Sequence, residues 1–168
     1  MVVVRGAELP RDLDAVRRLW LAYLTWGNDE MEARHGFRLP VAETVERDIE
    51  AIDKFQPPDG RLLLALAGGV SVGTACLRWL APGTCEIKRM WVEPAYRRAG
   101  TGRAMLERLI AEAGEAGYVR VRLDSPDFMT AAHELYRARG FTDTAPYSGT
   151  EIPEQYWTHW VFMQKPLP

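Results

Sequence analysis

The stretch Val92-Glu93-Pro94-Ala95-Tyr96-Arg97-Arg98-Ala99-Gly100-Thr101-Gly102 sets two glycines and two arginines where an apolar run gives way to a helical pattern. A strand, a short loop and a glycine-rich helix start suit an anion. The first helical N–H groups lack intrahelical partners, the helix dipole is positive there, and glycine lets an anion approach the backbone. Arg97, Arg98 and Arg103 surround the turn and can add charge-assisted hydrogen bonds to a pyrophosphate. Taken alone, Gly-x-Gly equally fits a bare strand-to-helix connection. A dinucleotide turn needs a third glycine where Arg103 and Ala104 follow, and a Walker A loop needs Gly-Lys-Ser/Thr; neither is present.

The spacing Val92-x-Pro94-x-x-Arg97-x-x-Gly100-x-Gly102 resembles the Arg/Gln-x-x-Gly-x-Gly/Ala motif of the GNAT superfamily of N-acyltransferases. Downstream, Leu135-Tyr136-Arg137-Ala138-Arg139-Gly140-Phe141 resembles that superfamily's Leu-Tyr-x-x-x-Gly-Phe signature, and the order of elements agrees from Val2 to Pro166. The resemblance implies an acetyl-CoA donor. It assigns the pyrophosphate to backbone N–H groups of Arg98, Ala99, Gly100, Thr101, Gly102 and Arg103, and the pantetheine arm to backbone groups of Met90 and Val92. One departure is Met129, where many members carry asparagine; Asp127 or Thr130 could supply the missing polar contact.

Acyl transfer needs a neutral amine, and a lysine-like amine has a pKa of roughly 10, so a base must take its proton. Glu86 matches the place where some superfamily members carry a glutamate base. The competing reading is an ion pair between Glu86 and Lys88 or Arg89, which would weaken it as a base. Tyr136, by resemblance, points at the CoA sulfur and can protonate the leaving thiolate; without the resemblance it reads as a core aromatic. Lys88 or Arg89 could face a substrate carboxylate. Trp20, Tyr23 and Trp26, with Tyr147, are candidates to line an acceptor pocket. The acceptor is a primary amine of a small or amino-acid-like molecule; a protein lysine or N-terminus, or a non-catalytic acyl-CoA sensor, are the alternatives.

These residues need elements to hold them. Val2 to Val4 reads as a strand and the segment after Pro10 as a helix through Leu13, Val16, Leu19, Trp20 and Tyr23. Gly27 to Pro40 is mixed and polar, a mobile candidate, before a second helical pattern from Val41 to Ile52. Arg61–Ala67, Val70–Leu80 and Thr84–Val92, split by Gly68-Gly69 and Pro82-Gly83, predict an antiparallel meander. Strand alternation along the third puts Glu86, Lys88, Met90 and Val92 on one face and Cys85, Ile87, Arg89 and Trp91 on the other. Helices follow from Gly100 to Gly117 and from Phe128 to Gly140, around a strand at Val119–Asp124, with strands near Phe141–Ala145 and Tyr156–Lys165. Ser125 or Asp127 is placed to cap the last helix.

The sum is a single α+β domain over residues 1–168, a mixed, largely antiparallel sheet flanked by helices with a splayed cleft for CoA. At 168 residues, 47% hydrophobic and 26% charged, the chain can bury one core. Its net charge of −2 gives no global attraction to nucleic acid or anionic membrane. No segment has the length of a membrane span or the pattern of a signal peptide, so a cytoplasmic protein is expected. Cys76 and Cys85 read as buried free thiols. His35 and His159 have no ligand-spaced partner in sequence, and no metal is expected. Trp157, Trp160 and Phe162 on the last strand suggest a possible homodimer contact.

Overall fold

A computed structural model describes residues 1–168. Seven strands form one sheet in the order β1-β2-β3-β4-β5-β7-β6. They are β1 (Val2–Gly6), β2 (Arg61–Ala67), β3 (Val70–Ala81), β4 (Thr84–Val92), β5 (Arg120–Pro126), β6 (Thr142–Asp143) and β7 (Trp160–Pro166). All neighbours pair antiparallel except β4 and β5. The predicted meander is β2-β3-β4, with Gly68, Gly69 and Gly83 in the left-handed region at its turns.

Helices α1 (Leu13–His35) and α2 (Val41–Glu50) cover one face of the sheet; α3 (Thr101–Glu115) and α4 (Thr130–Ala138) cover the other. Met105, Leu106 and Leu109 of α3 and Tyr136 of α4 pack with Leu63, Ala75, Leu77, Cys85 and Ile87 of the sheet. Val16, Leu19 and Trp20 of α1 and Val45 of α2 pack with Phe55 and with Leu64, Cys76 and Trp91 of the sheet. No helix is long and apolar enough to cross a membrane.

Helix α1 continues without a break through Gly27–His35, the first part of the segment read as mobile. Asn28 is buried, and its side chain donates to the Leu39 carbonyl and accepts from the Leu39 N–H, at 2.8 and 2.9 Å, folding the following loop back along the helix. Its polarity in sequence is therefore internal hydrogen bonding. Gly36, at φ 75°, ends the helix. The segment expected to begin a strand at Tyr156 is instead a 3-10 turn over Glu154–His159. Strand β7 lies between β5 and β6, which meets it only at Met163 and Gln164; Trp160 and Phe162 are buried, while Trp157 is half-buried in the preceding 3-10 turn.

Alternation along β4 is broken. Thr74 of β3 pairs with Trp91, but Cys76 pairs with Lys88, so two residues of β4 oppose Ala75 alone. The bulge sits at Arg89, whose φ is 53°, a conformation uncommon outside glycine. Its effect is to exchange the two faces partway along the strand. Cys85 and Ile87, and beyond the bulge Met90 and Val92, turn toward α3, while Glu86, Lys88, Arg89 and Trp91 turn the other way. The predicted grouping of Glu86 and Lys88 with Met90 and Val92 is thus corrected by one inserted residue.

Arg89, 8% exposed, is received by Asp48 of α2, which is fully buried and sits on that helix's apolar face beside Val45. Nε and Nη2 donate to Asp48 Oδ2 at 3.0 and 2.6 Å, and Lys54 donates to Oδ1 at 2.6 Å. Removing one partner of such a buried pair costs roughly 3–5 kcal/mol. Asp48→Ala is expected to lower unfolding free energy by that order in urea titration, with the denaturant slope unchanged. A loss below about 1 kcal/mol would show that the bulge does not depend on this carboxylate.

Candidate active site

Strands β4 and β5 pair only at Thr84–Arg120, Cys85–Val121 and Glu86–Arg122. Beyond that point Ile87–Val92 and Leu123–Pro126 do not pair with one another, and the sheet opens. Main-chain groups that a continuous ladder would use are left without a strand partner along the gap.

At one end of the gap is the glycine turn. Arg98 and Gly100 have φ of 63° and 81°, and α3 begins at Thr101 with no side-chain cap. None of the backbone N–H groups from Arg98 to Arg103 donates to another protein group. Uncapped amides on a positive-φ loop at a helix N-terminus form an anion cradle, so the residues fit a pyrophosphate. The arginine side chains are placed differently from expectation. Arg97 folds away, donating to the Val92 carbonyl at 2.8 Å and lying 4.4 Å over the Trp91 ring, and Arg103 pairs with Glu107 at 2.9 Å. The groups left to meet an anion there are therefore the backbone N–H groups from Arg98 to Arg103. A pantetheine arm meeting the Val92 carbonyl would share it with Arg97.

Gly102 leads toward the gap: a Cβ there would lie 3.7 Å from Leu135 and 3.8 Å from the Met90 methyl. Met90 in turn meets Tyr136, whose hydroxyl is 3.7 Å from its sulfur. Burial holds the Tyr136 pKa above the ordinary phenol value, so the hydroxyl stays protonated and can donate.

The gap opens into a cavity of about 270 Å3. Tyr23, Leu24, Met31, Leu39 and Ile152 supply much of its apolar wall, while Lys88, Arg89, Asp124 and Glu151 supply charge. The Lys88 ammonium lies 3.4 Å from Glu151, 3.6 Å from Glu86 and 3.7 Å from Asp124. Burial works to lower its pKa, but Asp124, Glu86 and Glu151 outweigh that and raise it, so Lys88 is a cation. Arg89 also reaches Glu151, at 3.2 Å through Nη2, and its Nη1 donates to no protein group. Burial opposes ionisation of Glu151, yet Lys88 and Arg89 bring its pKa well below the usual carboxylate range.

Of the residues expected at the site, Lys88, Arg89, Met90 and Tyr136 line this cavity, and Glu86, Trp26 and Tyr147 do not. Glu86 is fully buried beside the cluster. Arg78 donates to its Oε1 from Nε at 3.0 Å, and Tyr147 donates to its Oε2 at 2.6 Å. Burial, then Asp124 and Glu86, raise the Tyr147 pKa, keeping it the donor in that bond. Trp26 packs on Trp91 and Phe128. Ser125 and Asp127 do not cap α4, whose N-cap is Met129; Ser125 bonds His133 and Asp127 bonds His35.

Asp124, Glu151 and Asp48 were not singled out by the sequence reading. Asp48 had a signal, an acidic residue at helical spacing from Val45 and Ile52. Asp124 had one too, a carboxylate ending an apolar strand, whereas Glu151 lies in a stretch without periodicity. Space also joins what sequence separated: ligating atoms of His35, Asp127 and His159 all lie within 4.8 Å of one another.

Comparison with known proteins places this geometry. The model of the Acetyltransferase (GNAT) family matches residues 15–141. An uncharacterized N-acetyltransferase of Schizosaccharomyces pombe is 29% identical over 154 residues, covering 90% of each chain. The IAA acetyltransferase of Azospirillum brasilense is 32% identical, over 83% of this chain and 87% of its own. The structure of yncA from Salmonella typhimurium with its cofactor Acetyl-CoA superposes with a TM-score of 0.68 at 23% identity, covering 100% of this chain and 95% of its own. The chain belongs to the GNAT acetyltransferase family and is an acyltransferase.

The ion cluster at the cavity makes acid the vulnerable direction. Glu151's folded pKa lies below its unfolded value, so its stabilisation is complete above the unfolded value and is lost as pH falls. Melting temperature is expected to drop between about pH 5 and pH 3, more steeply in the parent than in Glu151→Gln. Equal acid slopes in the two proteins would show that Glu151 draws no stability from Lys88 and Arg89.

Proposed function

We propose that the protein transfers an acetyl group from acetyl-CoA to the primary amine of a small, amino-acid-like acceptor, by direct attack in a ternary complex. The observation that carries this reading is the gap between β4 and β5, which joins the uncapped amides of Arg98–Arg103 to a cavity holding charges of both signs. The acetyl-CoA in yncA and the name of the Azospirillum relative support the donor. A cavity of about 270 Å3, walled by α1, β4, β5 and Ile152-Pro153, favours a small acceptor over a polypeptide. Its charges suit a zwitterion, whose carboxylate would meet the free Nη1 of Arg89 and whose amine would meet Asp124.

Bound acetyl-CoA supplies the activated acyl carbon. Asp124 takes the amine proton, the nitrogen attacks, the C–N bond forms and the C–S bond breaks. Tyr136 gives its proton to the departing thiolate and, because a phenolate is the stronger base of the two (pKa roughly 10 against roughly 8.5), regains one as the acylated nitrogen sheds its second proton. Asp124 is preferred to Glu86 as the base because it faces the cavity and only its Oδ2 is engaged, by the Thr150 hydroxyl at 2.9 Å, whereas both Glu86 oxygens are engaged, by Arg78 and Tyr147. Glu86 instead holds those two residues and Lys88 in place.

With acetyl-CoA saturating, thiol release and product mass across amino acids, polyamines, aminoglycosides and peptides should show turnover with amino acids carrying an apolar side chain. Tyr136→Phe and Asp124→Asn should each lower kcat by about 100-fold, the loss typical of a general acid or base, with Glu86→Gln within about tenfold of the parent. CoA binding without acceptor-stimulated release would make the protein a sensor. Turnover confined to peptides would move the acceptor to polypeptide amines. If Glu86→Gln removed the acidic limb of the pH profile and Asp124→Asn did not, the base would be Glu86.

A further inference from the structure

His35 is the last residue of α1, Asp127 follows the end of β5, and His159 precedes β7. Three distant parts of the chain thus bring two imidazoles and a carboxylate together. His35 Nε2 lies 3.0 Å from Asp127 Oδ1, the His35 and His159 rings stack with centroids 3.9 Å apart, and all three ligating atoms fall within 4.8 Å of one another. We propose that His35, Asp127 and His159 form a site for a borderline divalent cation of the zinc type, outside the catalytic cleft.

The donor set carries the argument first. Two neutral imidazoles with one carboxylate suit zinc and its first-row neighbours, and they disfavour calcium or magnesium, which take oxygen ligands. Dimensions agree. Zinc bonds of about 2.0–2.1 Å at tetrahedral angles put ligand atoms roughly 3.3 Å apart, close to the His35–Asp127 separation. His159 has to turn edge-on from its stack, and its half-buried position permits that. The His35 and Asp127 side chains are 18% and 39% exposed, which leaves an entry path and room for water to complete the shell.

Two features outside the triad favour a cation there. His35 sits at the C-terminal end of a 23-residue helix, where unpaired carbonyls make the field negative. The backbones of Asp127 and His159 are already tied, the Asp127 N–H donating to the His159 carbonyl at 2.9 Å, so two ligands are positioned before any ion arrives. The elements joined are also walls of the cavity, through Met31 of α1, Pro126 of β5 and Trp160 of β7. An ion would fasten α1 to the β5–β7 edge and stiffen the cavity mouth while touching none of the residues assigned to chemistry.

The test is zinc titration of the tag-free full chain by calorimetry, with cobalt absorption as a second readout, on the parent, His159→Phe and Asp127→Asn. Phenylalanine keeps the aromatic stack, and asparagine keeps a hydrogen-bonding partner for His35, but each removes a strong ligand. The parent should bind one ion per chain and melt higher with zinc. Each variant should bind at least about tenfold more weakly and lose the melting shift, since even outer partners of a metal site are worth 10–100-fold. Unchanged melting of the metal-free variants would confirm their folding. Absence of saturable binding up to about 100 µM zinc, or parental affinity in either variant, would overturn the site.

Discussion

The site depends on the parallel ladder between β4 and β5 ending at Glu86–Arg122. A sheet that stayed paired would satisfy its own backbone and leave nothing for an extended ligand arm. The bulge at Arg89 supplies a reason for the separation: an extra residue on one strand bends it and increases its local twist, which turns the end of β4 away from β5. The same residue reverses which side chains meet which helix, so Met90 turns toward Tyr136 while Lys88 and Arg89 turn toward α2 and Glu151. One local irregularity therefore opens the gap and furnishes both of its walls.

That irregularity has an electrostatic consequence. Arg89 and Lys88 are carried into a region from which water is largely excluded, and isolated buried charges would cost several kcal/mol each. The structure matches them by a chain of ion pairs from Arg78 through Glu86, Lys88, Glu151, Arg89 and Asp48 to Lys54, with Asp124 branching from Lys88, four cations against four anions. Apolar residues of similar volume would often be as stable in such a place. A neutral cluster lining a cavity has a use an apolar one lacks: it can exchange an internal contact for a ligand's charge of either sign.

Much of the fold was legible because its signals are local. Glycines at tight turns marked the meander, the period of Leu106, Leu109 and Ala113 marked α3, and Gly100-Thr101-Gly102 marked the uncapped helix start. What was not legible depends on register. Alternation along β4 assumes one residue against one, and nothing in Cys-Glu-Ile-Lys-Arg-Met-Trp announces an inserted residue. Helix α1 looked interrupted at Gly27 and Asn28 because the partner that satisfies Asn28 is Leu39, beyond the helix. His35 and His159 looked isolated because 124 positions of chain separate them, 159 minus 35, while their rings touch in space.

The two halves of the site differ in how far they can vary. The glycine turn and the Met90–Tyr136 contact rest on main-chain geometry and on two side chains, so they constrain sequence at few positions. The cavity is assembled from α1, α2, β4, β5 and the 151–153 segment, and its charges balance only as a set. Substituting one member, such as Asp48 or Glu151, unpairs another rather than simply trimming the wall. The cavity wall is thus tied to stability through the same ion cluster, whereas the glycine turn takes no part in those ion pairs.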